Sequence, residues 1–192
     1  MDKEDKKEFI IEASRELFAR FGLKKTTMDE IAKKCGMSKA TLYYYFKSKE
    51  DIFRAVIDKE FNIFRGKMEE VLSKAQTPHD KLRAFVMTRV IYLKELANYY
   101  STLTDEYLEH YAFVERERIK LTDWEIQTVQ FILDKGVQQG VFDISDSKLT
   151  AVVLVFALKG LEYPWTVEQD IIEIESAIDL MLPILFKGIE KR

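Results

Sequence analysis

The sequence predicts an all-α protein, and three observations carry that expectation. Seven Gly and three Pro in 192 residues leave little turn chemistry for an all-β fold. Apolar residues recur at three- and four-residue spacing along most of the chain. Ser or Thr followed three positions later by an acid repeatedly marks a helix start. At 47% hydrophobic and 33% charged residues, the composition is that of a chain that folds. A single cysteine, Cys35, allows no internal disulfide, and with only His79 and His110 beside it neither a metal site nor a cofactor is expected.

The elements follow in order. Ile10, Ala13, Leu17, Phe18 and Phe21 share a face, predicting a helix over residues 6–21 that Gly22 ends in a left-handed conformation. Thr27 with Glu30 forms a capping box for a two-turn helix that turns Ile31, Ala32 and Cys35 inward and stops at Gly36. After the turn Gly36-Met37-Ser38, Ser38 caps a third helix over residues 39–45. So short a helix does not hold itself together in water, so its order must come from Leu42 and Phe46 packing beneath it.

Ser48 with Asp51 then opens a long helix to about residue 74, with Phe53, Val56, Ile57, Phe61, Phe64, Met68 and Val71 at helical spacing. Thr77, Pro78 and Asp80 start the next, whose apolar residues from Leu82 to Leu103 cover more than one face, as in a helix buried all round or lining a cavity. Thr104 opens a further helix to Leu121, Thr122 with Glu125 caps another to Gly140, and Ser145 or Asp146 begins one that Pro164 ends. Leu149, Val152, Phe156, Gly160 and Tyr163 form one stripe; Ile171, Ile174, Ile178, Met181 and Leu185 form a second, in a final helix that Pro183 bends. Residues 151–158 are apolar on every side, which predicts that the last two helices pair with their copies in a homodimer.

Charge separates head from body. Residues 1–50 carry 12 Lys/Arg against 9 Asp/Glu, while the remainder is acidic and the whole chain is −3. From Arg20 to Lys49 eight basic residues meet only Asp29 and Glu30. Such a head suits a polyanion, although a solvated lysine-rich face would look the same. Two short helices joined by a glycine-bearing turn and preceded by a longer one are the signature of a helix-turn-helix, spanning about residues 27–46. Its second helix offers Lys39, Ala40, Thr41, Tyr43 and Tyr44, while Tyr45 is either exposed or core. A tyrosine packs its ring on sugar or a thymine methyl and donates its hydroxyl to phosphate; Thr41 suits a base edge. Helix starts at Thr27, Ser38 and Ser48 add backbone N–H groups.

The segment TMDEIAKKCGMSKATLYYYFKSKED, residues 27–51, resembles the helix-turn-helix of the tetracycline-repressor (TetR) family of bacterial transcription regulators. Thr27, Ile31, Ala32, Gly36, Ser38, Thr41, Leu42, Tyr43, Phe46, Lys49 and Glu50 carry the resemblance, and residues 136–148 (GVQQGVFDISDSK) add a familiar outline. It implies a helix-turn-helix DNA-binding domain over 1–50, a connecting helix over 51–74 and a helical effector-binding and dimerisation bundle over 75–192. It also implies that Thr27 touches phosphate, that Tyr43, Tyr44 and Lys49 anchor the DNA backbone, and that Lys39, Ala40, Thr41 and Tyr45 face the major groove. Asp29 departs from the pattern; it either bonds a cytosine amino group or favours the positive helix end.

The expected protein is a dimeric repressor on a palindromic double-stranded DNA operator, released by a small, largely hydrophobic effector. For that effector Phe85, Arg89, Tyr92, Leu96, Trp124 and Phe131 are candidate lining residues. Arg89, within an apolar stretch, either pairs with a glutamate or captures a ligand's carboxylate. A helical protein-binding adaptor, or a regulator without a small-molecule effector, is the competing expectation. An enzyme is not expected, because two histidines, one cysteine and no Gly-rich loop leave nucleophile-base and phosphate sites nothing to assemble from. With neither a leader sequence at the start nor an apolar run long enough to span a bilayer, a cytoplasmic location is expected.

Overall fold

In the computed structural model, residues 2–99, 116, 118–160 and 171–190 are described, the side chains of 93–99 and 171–175 excepted. Eight helices lie among them: α1 (Lys3–Lys25), α2 (Met28–Lys34), α3 (Lys39–Tyr45), α4 (Lys49–Lys74), α5 (Pro78–Tyr99), α6 (Ile119–Gln138), α7 (Ser147–Gly160) and α8 (Ile171–Ile189). Extended pairing among the described residues is confined to the single bridge between Phe142 and Glu190. The fold is all-α, as the sequence predicts.

The chain divides into two compact units, Met1–Ile63 with Leu96–Arg118, and Phe64–Glu95 with Ile119–Arg192. The expected connecting helix, residues 51–74, lies within α4, of which residues 49–63 belong to the first unit and 64–74 to the second.

In the first unit α1 starts earlier than expected because Asp2 and Asp5 form their own capping box, each carboxylate accepting the other's N–H at 2.8 and 3.1 Å. Gly22 takes φ 78°, and one more turn follows to Lys25. Phe21, expected on the inward face, is 41% exposed because the break at Gly22 passes inward packing to Leu23; the Arg20 guanidinium lies over its ring instead. Ile10, Phe18, Leu23, Met28, Ile31, Ala32, Leu42, Ile52, Phe53 and Val56 form the core, with Phe18 and Phe53 edge to face at 5.2 Å.

The second unit is built from the end of α4 with α5 to α8. Thr77 and Asp80 cap α5 reciprocally and Asp146 caps α7, its carboxylate accepting the Leu149 N–H at 2.8 Å. The expected start at Thr122 is wrong: α6 begins at Ile119, Thr122 lies within it, and Glu125 is buried beside Arg89 instead of capping. At its other end α6 closes in a Schellman motif, with Gly140 at φ 69° and the Val141 N–H bonded to the Gly136 carbonyl at 2.9 Å. The helix start expected at Thr104 and the helix end expected at Pro164 fall outside the described residues.

The expected stripe on α8 is also corrected at Ile178, Met181 and Leu185, the side chains of Ile171 and Ile174 lying outside the described residues. Ile178 is buried, and Met181 and Leu185 line an internal cavity, so that side of α8 faces its own unit. Leu180 and Ile184, each 74% exposed, stand on the outward side. On α7 Leu149, Val153, Phe156 and Gly160 point outward, so Val153 takes the place expected of Val152.

Candidate nucleic-acid interface

The helix-turn-helix is assembled by local chemistry. Thr27 caps α2, its hydroxyl accepting the Glu30 N–H at 3.3 Å while the Glu30 carboxylate accepts the Thr27 N–H at 2.8 Å. At the other end Gly36, φ 63°, completes a Schellman motif in which the Met37 N–H reaches the Ala32 carbonyl at 3.0 Å. The chain leaves that turn directly into Ser38, which caps α3 by accepting the Thr41 N–H at 3.1 Å. α3 has seven residues and is held by Leu42, which is fully buried.

With Leu42 inward, Lys39, Ala40, Thr41, Tyr43 and Tyr44 are exposed, Tyr43 at 43% and Tyr44 at 68%. The Ser38 and Thr41 hydroxyls lie 2.8 Å apart and share a hydrogen bond. Tyr45 is half-buried, packs on the head core and meets Tyr44 edge to face at 5.1 Å. It therefore braces Tyr44 from behind. Phe46 also packs partly buried on the core, as expected.

Two further side chains border this surface that the sequence did not single out in these roles. Lys3 sits over the Tyr44 ring at 5.1 Å, bringing the start of α1 beside α3. Asp29 pairs with Lys39 at 2.9 Å across the turn, and that hydrogen bond and charge hold the Lys39 ammonium above the usual lysine range. Neither partner was legible, because each contact joins residues brought together only when α1, α2 and α3 pack. Lys49 is half-buried and its ammonium donates to the carbonyls of Leu23, Lys24 and Thr26 at 2.7, 3.1 and 3.2 Å.

Of the residues expected to line an effector site, all but Leu96 belong to the second unit, and these five disperse into four settings. Phe85 is fully buried and lines an apolar cavity of about 80 Å³ with Leu82, Val129, Leu158 and Met181. One helical turn along, Arg89 and Glu125 form an ion pair at 2.7 Å, with only 2% and 4% of their side chains exposed. Tyr92 and Trp124 gather on Phe64, with ring centroids at 4.6 and 5.9 Å. Phe131 is 59% exposed under Lys135, away from these groups. The side chain of Leu96 lies outside the described residues. Pockets for drug-sized ligands measure roughly 300–1,000 Å³, so the cavity would have to widen several-fold to hold one.

Residues 10–56 match the family described as bacterial regulatory proteins, tetR family. The transcriptional regulator QacR of Staphylococcus aureus is 26% identical across 96% of this chain and 98% of its own. The fatty acid metabolism regulator protein of Bacillus subtilis is 24% identical across 95% of each chain. Among solved structures, a transcriptional regulator from Cytophaga hutchinsonii is 31% identical over 96% of this chain and 98% of its own, with a TM-score of 0.74. A TetR transcription regulator from Haloarcula marismortui, 19% identical, shares the fold with a TM-score of 0.79 over 98% of this chain and all of its own. No helix among the described residues is long and apolar enough to cross a membrane.

Proposed function

This chain belongs to the TetR family of bacterial DNA-binding transcription regulators, and from that premise we propose that it works as a homodimeric cytoplasmic repressor whose two α3 helices read a palindromic operator. The observation that carries the proposal is the outward set Lys39, Ala40, Thr41, Tyr43 and Tyr44 on a helix fixed from beneath by Leu42. Lys39, Ala40 and Thr41 stand at the start of α3, where a recognition helix meets base edges. Tyr43 and Tyr44 offer hydroxyls to phosphates, and Ser38 and Thr27 complete the backbone contacts. Tyr45 supports Tyr44 rather than reading a base.

A single seven-residue helix reads too few bases for specificity, so two copies are needed, set about 34–36 Å apart on successive turns of the duplex. The exposed apolar residues Leu149, Val153 and Phe156 of α7, with Leu180 and Ile184 of α8, support a second copy of this chain as the partner. For the effector, the buried apolar wall at Phe85 and the Arg89–Glu125 pair one turn away suit a small, mainly hydrophobic molecule. It would bind better to the state that does not fit DNA, and linkage then requires DNA to weaken effector binding by the same factor.

The test is fluorescence anisotropy of the full chain on duplexes from the DNA upstream of its own gene. Salt-sensitive, sequence-selective binding that Tyr43→Ala with Tyr44→Ala reduces by tenfold or more (about 1.4 kcal/mol) is the expected result. Absence of binding to any duplex would favour the adaptor, and binding that ignores salt would count against an interface with the phosphates.

A further inference from the structure

We propose that Lys49 acts in DNA binding as a positioning residue and not as a phosphate anchor: its ammonium ties the last turn of α1 to the first residue of α4 and fixes the corner from which α2 and α3 are hung. The inference rests on the reading of the head as the DNA-binding element.

An ammonium has three N–H donors, and Lys49 places one on each of three neighbouring carbonyls, those of Leu23, Lys24 and Thr26. Its place in the sequence makes the same point. Lys49 is the first residue of α4, the positive end of a helix, where a cation is disfavoured. The carbonyls it meets are in and just beyond the last turn of α1, the negative end, where such groups lack intrahelical partners. The side chain therefore carries its charge away from the end where it is unfavourable to the end where it is needed.

That end is a built corner. Gly22 adopts φ 78°, and Thr26, fully buried, gives its N–H at 3.3 Å and its hydroxyl at 2.7 Å to the Gly22 carbonyl. Leu23 anchors the corner in the head core. The residue after Thr26 is Thr27, the cap of α2, and α2 leads through Gly36 and Ser38 into α3 with no slack. Removing the Lys49 donors strips three carbonyls at the point that sets the direction of both helices. Two residues earlier, Lys47 is exposed and, on this proposal, is the lysine of the segment that meets a phosphate.

The experiment compares the full chain with Lys49→Met, Lys49→Arg and Lys47→Met, after circular dichroism confirms helical folding. Two readings are made: duplex affinity across a salt series, and amide hydrogen exchange at residues 23–31 without DNA. Each phosphate contact contributes roughly −0.9 to the slope of log K against log salt. Lys47→Met is expected to flatten the slope by about that amount. Lys49→Met and Lys49→Arg are expected to weaken binding about tenfold at every salt with the slope unchanged, because the planar guanidinium does not point three donors at converging carbonyls. Both should also speed exchange at 23–31. Should Lys49→Met fail to fold, Lys49→Arg carries the same comparison. The proposal is overturned if Lys49→Met flattens the slope by about one contact and Lys49→Arg restores it, or if exchange at the corner matches the parent in both variants. Failure of the parent to bind any duplex would overturn the DNA-binding reading itself, while exchange at the corner still decides whether Lys49 holds it.

Discussion

Arg89 and Glu125 are the residues whose sequence context is most at odds with their role. Arg89 sits in an apolar run, where the sequence leaves two options open, an internal ion pair or a waiting ligand site. The structure gives the ion pair, at 2.7 Å and almost entirely out of water. Taking one partner away leaves a charge stranded in the core, whereas replacing both leaves none. Arg89→Ala should therefore destabilise the chain by about 3–5 kcal/mol, and Arg89→Met with Glu125→Leu by less than about 1 kcal/mol or not at all. Urea unfolding of the two variants decides the point; equal losses would show that the packing, not the charge, matters there. Gly136 has a comparable local logic, since a Cβ placed on it would overlap the Phe142 ring. Gly136→Ala should cost about 1–3 kcal/mol in the same assay.

At the scale of elements, the head was legible because its signals are local. Thr27 and Glu30, Gly36, Ser38, and Ser48 with Asp51 all act within a few residues of themselves, and each sits where the sequence placed it. The body was less legible for two physical reasons. Thr122 and Glu125 have the spacing of a capping box, but burial of Glu125 against α5 is a tertiary event that spacing does not encode. In α8 apolar residues cover most of the surface, so periodicity alone does not choose between the side carrying Ile178, Met181 and Leu185 and the side carrying Leu180 and Ile184.

One element-scale prediction concerns acid. Lys59 of α4 pairs with Glu8 and Glu12 of α1, and Arg15 joins Glu12 to Glu60. The Lys59 hydrogen bond, with the charges of Lys59 and Arg15, holds the Glu12 carboxyl below the usual glutamate range against the opposing effect of burial. Burial pulls the Lys59 ammonium down, yet its bonds to Glu12 and Glu8 leave it above the usual lysine range. A depressed carboxyl stabilises above its unfolded pKa of about 4.3 and loses that contribution as pH falls through the folded value. Glu12→Gln should accordingly flatten the acid limb of a stability-against-pH curve. The effect is within about 1 kcal/mol because these groups are partly solvated. An unchanged acid limb would show that the α1–α4 pairs contribute nothing net.

For the whole molecule, the proposed assembly follows from what the second unit leaves outside. Leu149, Val153, Phe156, Leu180 and Ile184 are each more than half exposed, and large apolar side chains gathered on two helices favour association. Leu180→Glu with Ile184→Glu should convert a dimer into the 22.6 kDa monomer in light scattering and weaken operator binding with it. A parent already monomeric at micromolar concentration would remove the paired reading of the operator.

The proposed function depends on α3 entering a duplex with Ala40 and Thr41 against the bases. The most direct measurement is photocrosslinking from a benzophenone side chain placed at Ala40 or Thr41, with Phe131 as the control position. Crosslinks from 40 and 41 to operator bases, lost at high salt and absent from 131, are expected. Retained operator binding without crosslinks from either α3 position would show that another surface of the chain holds the DNA.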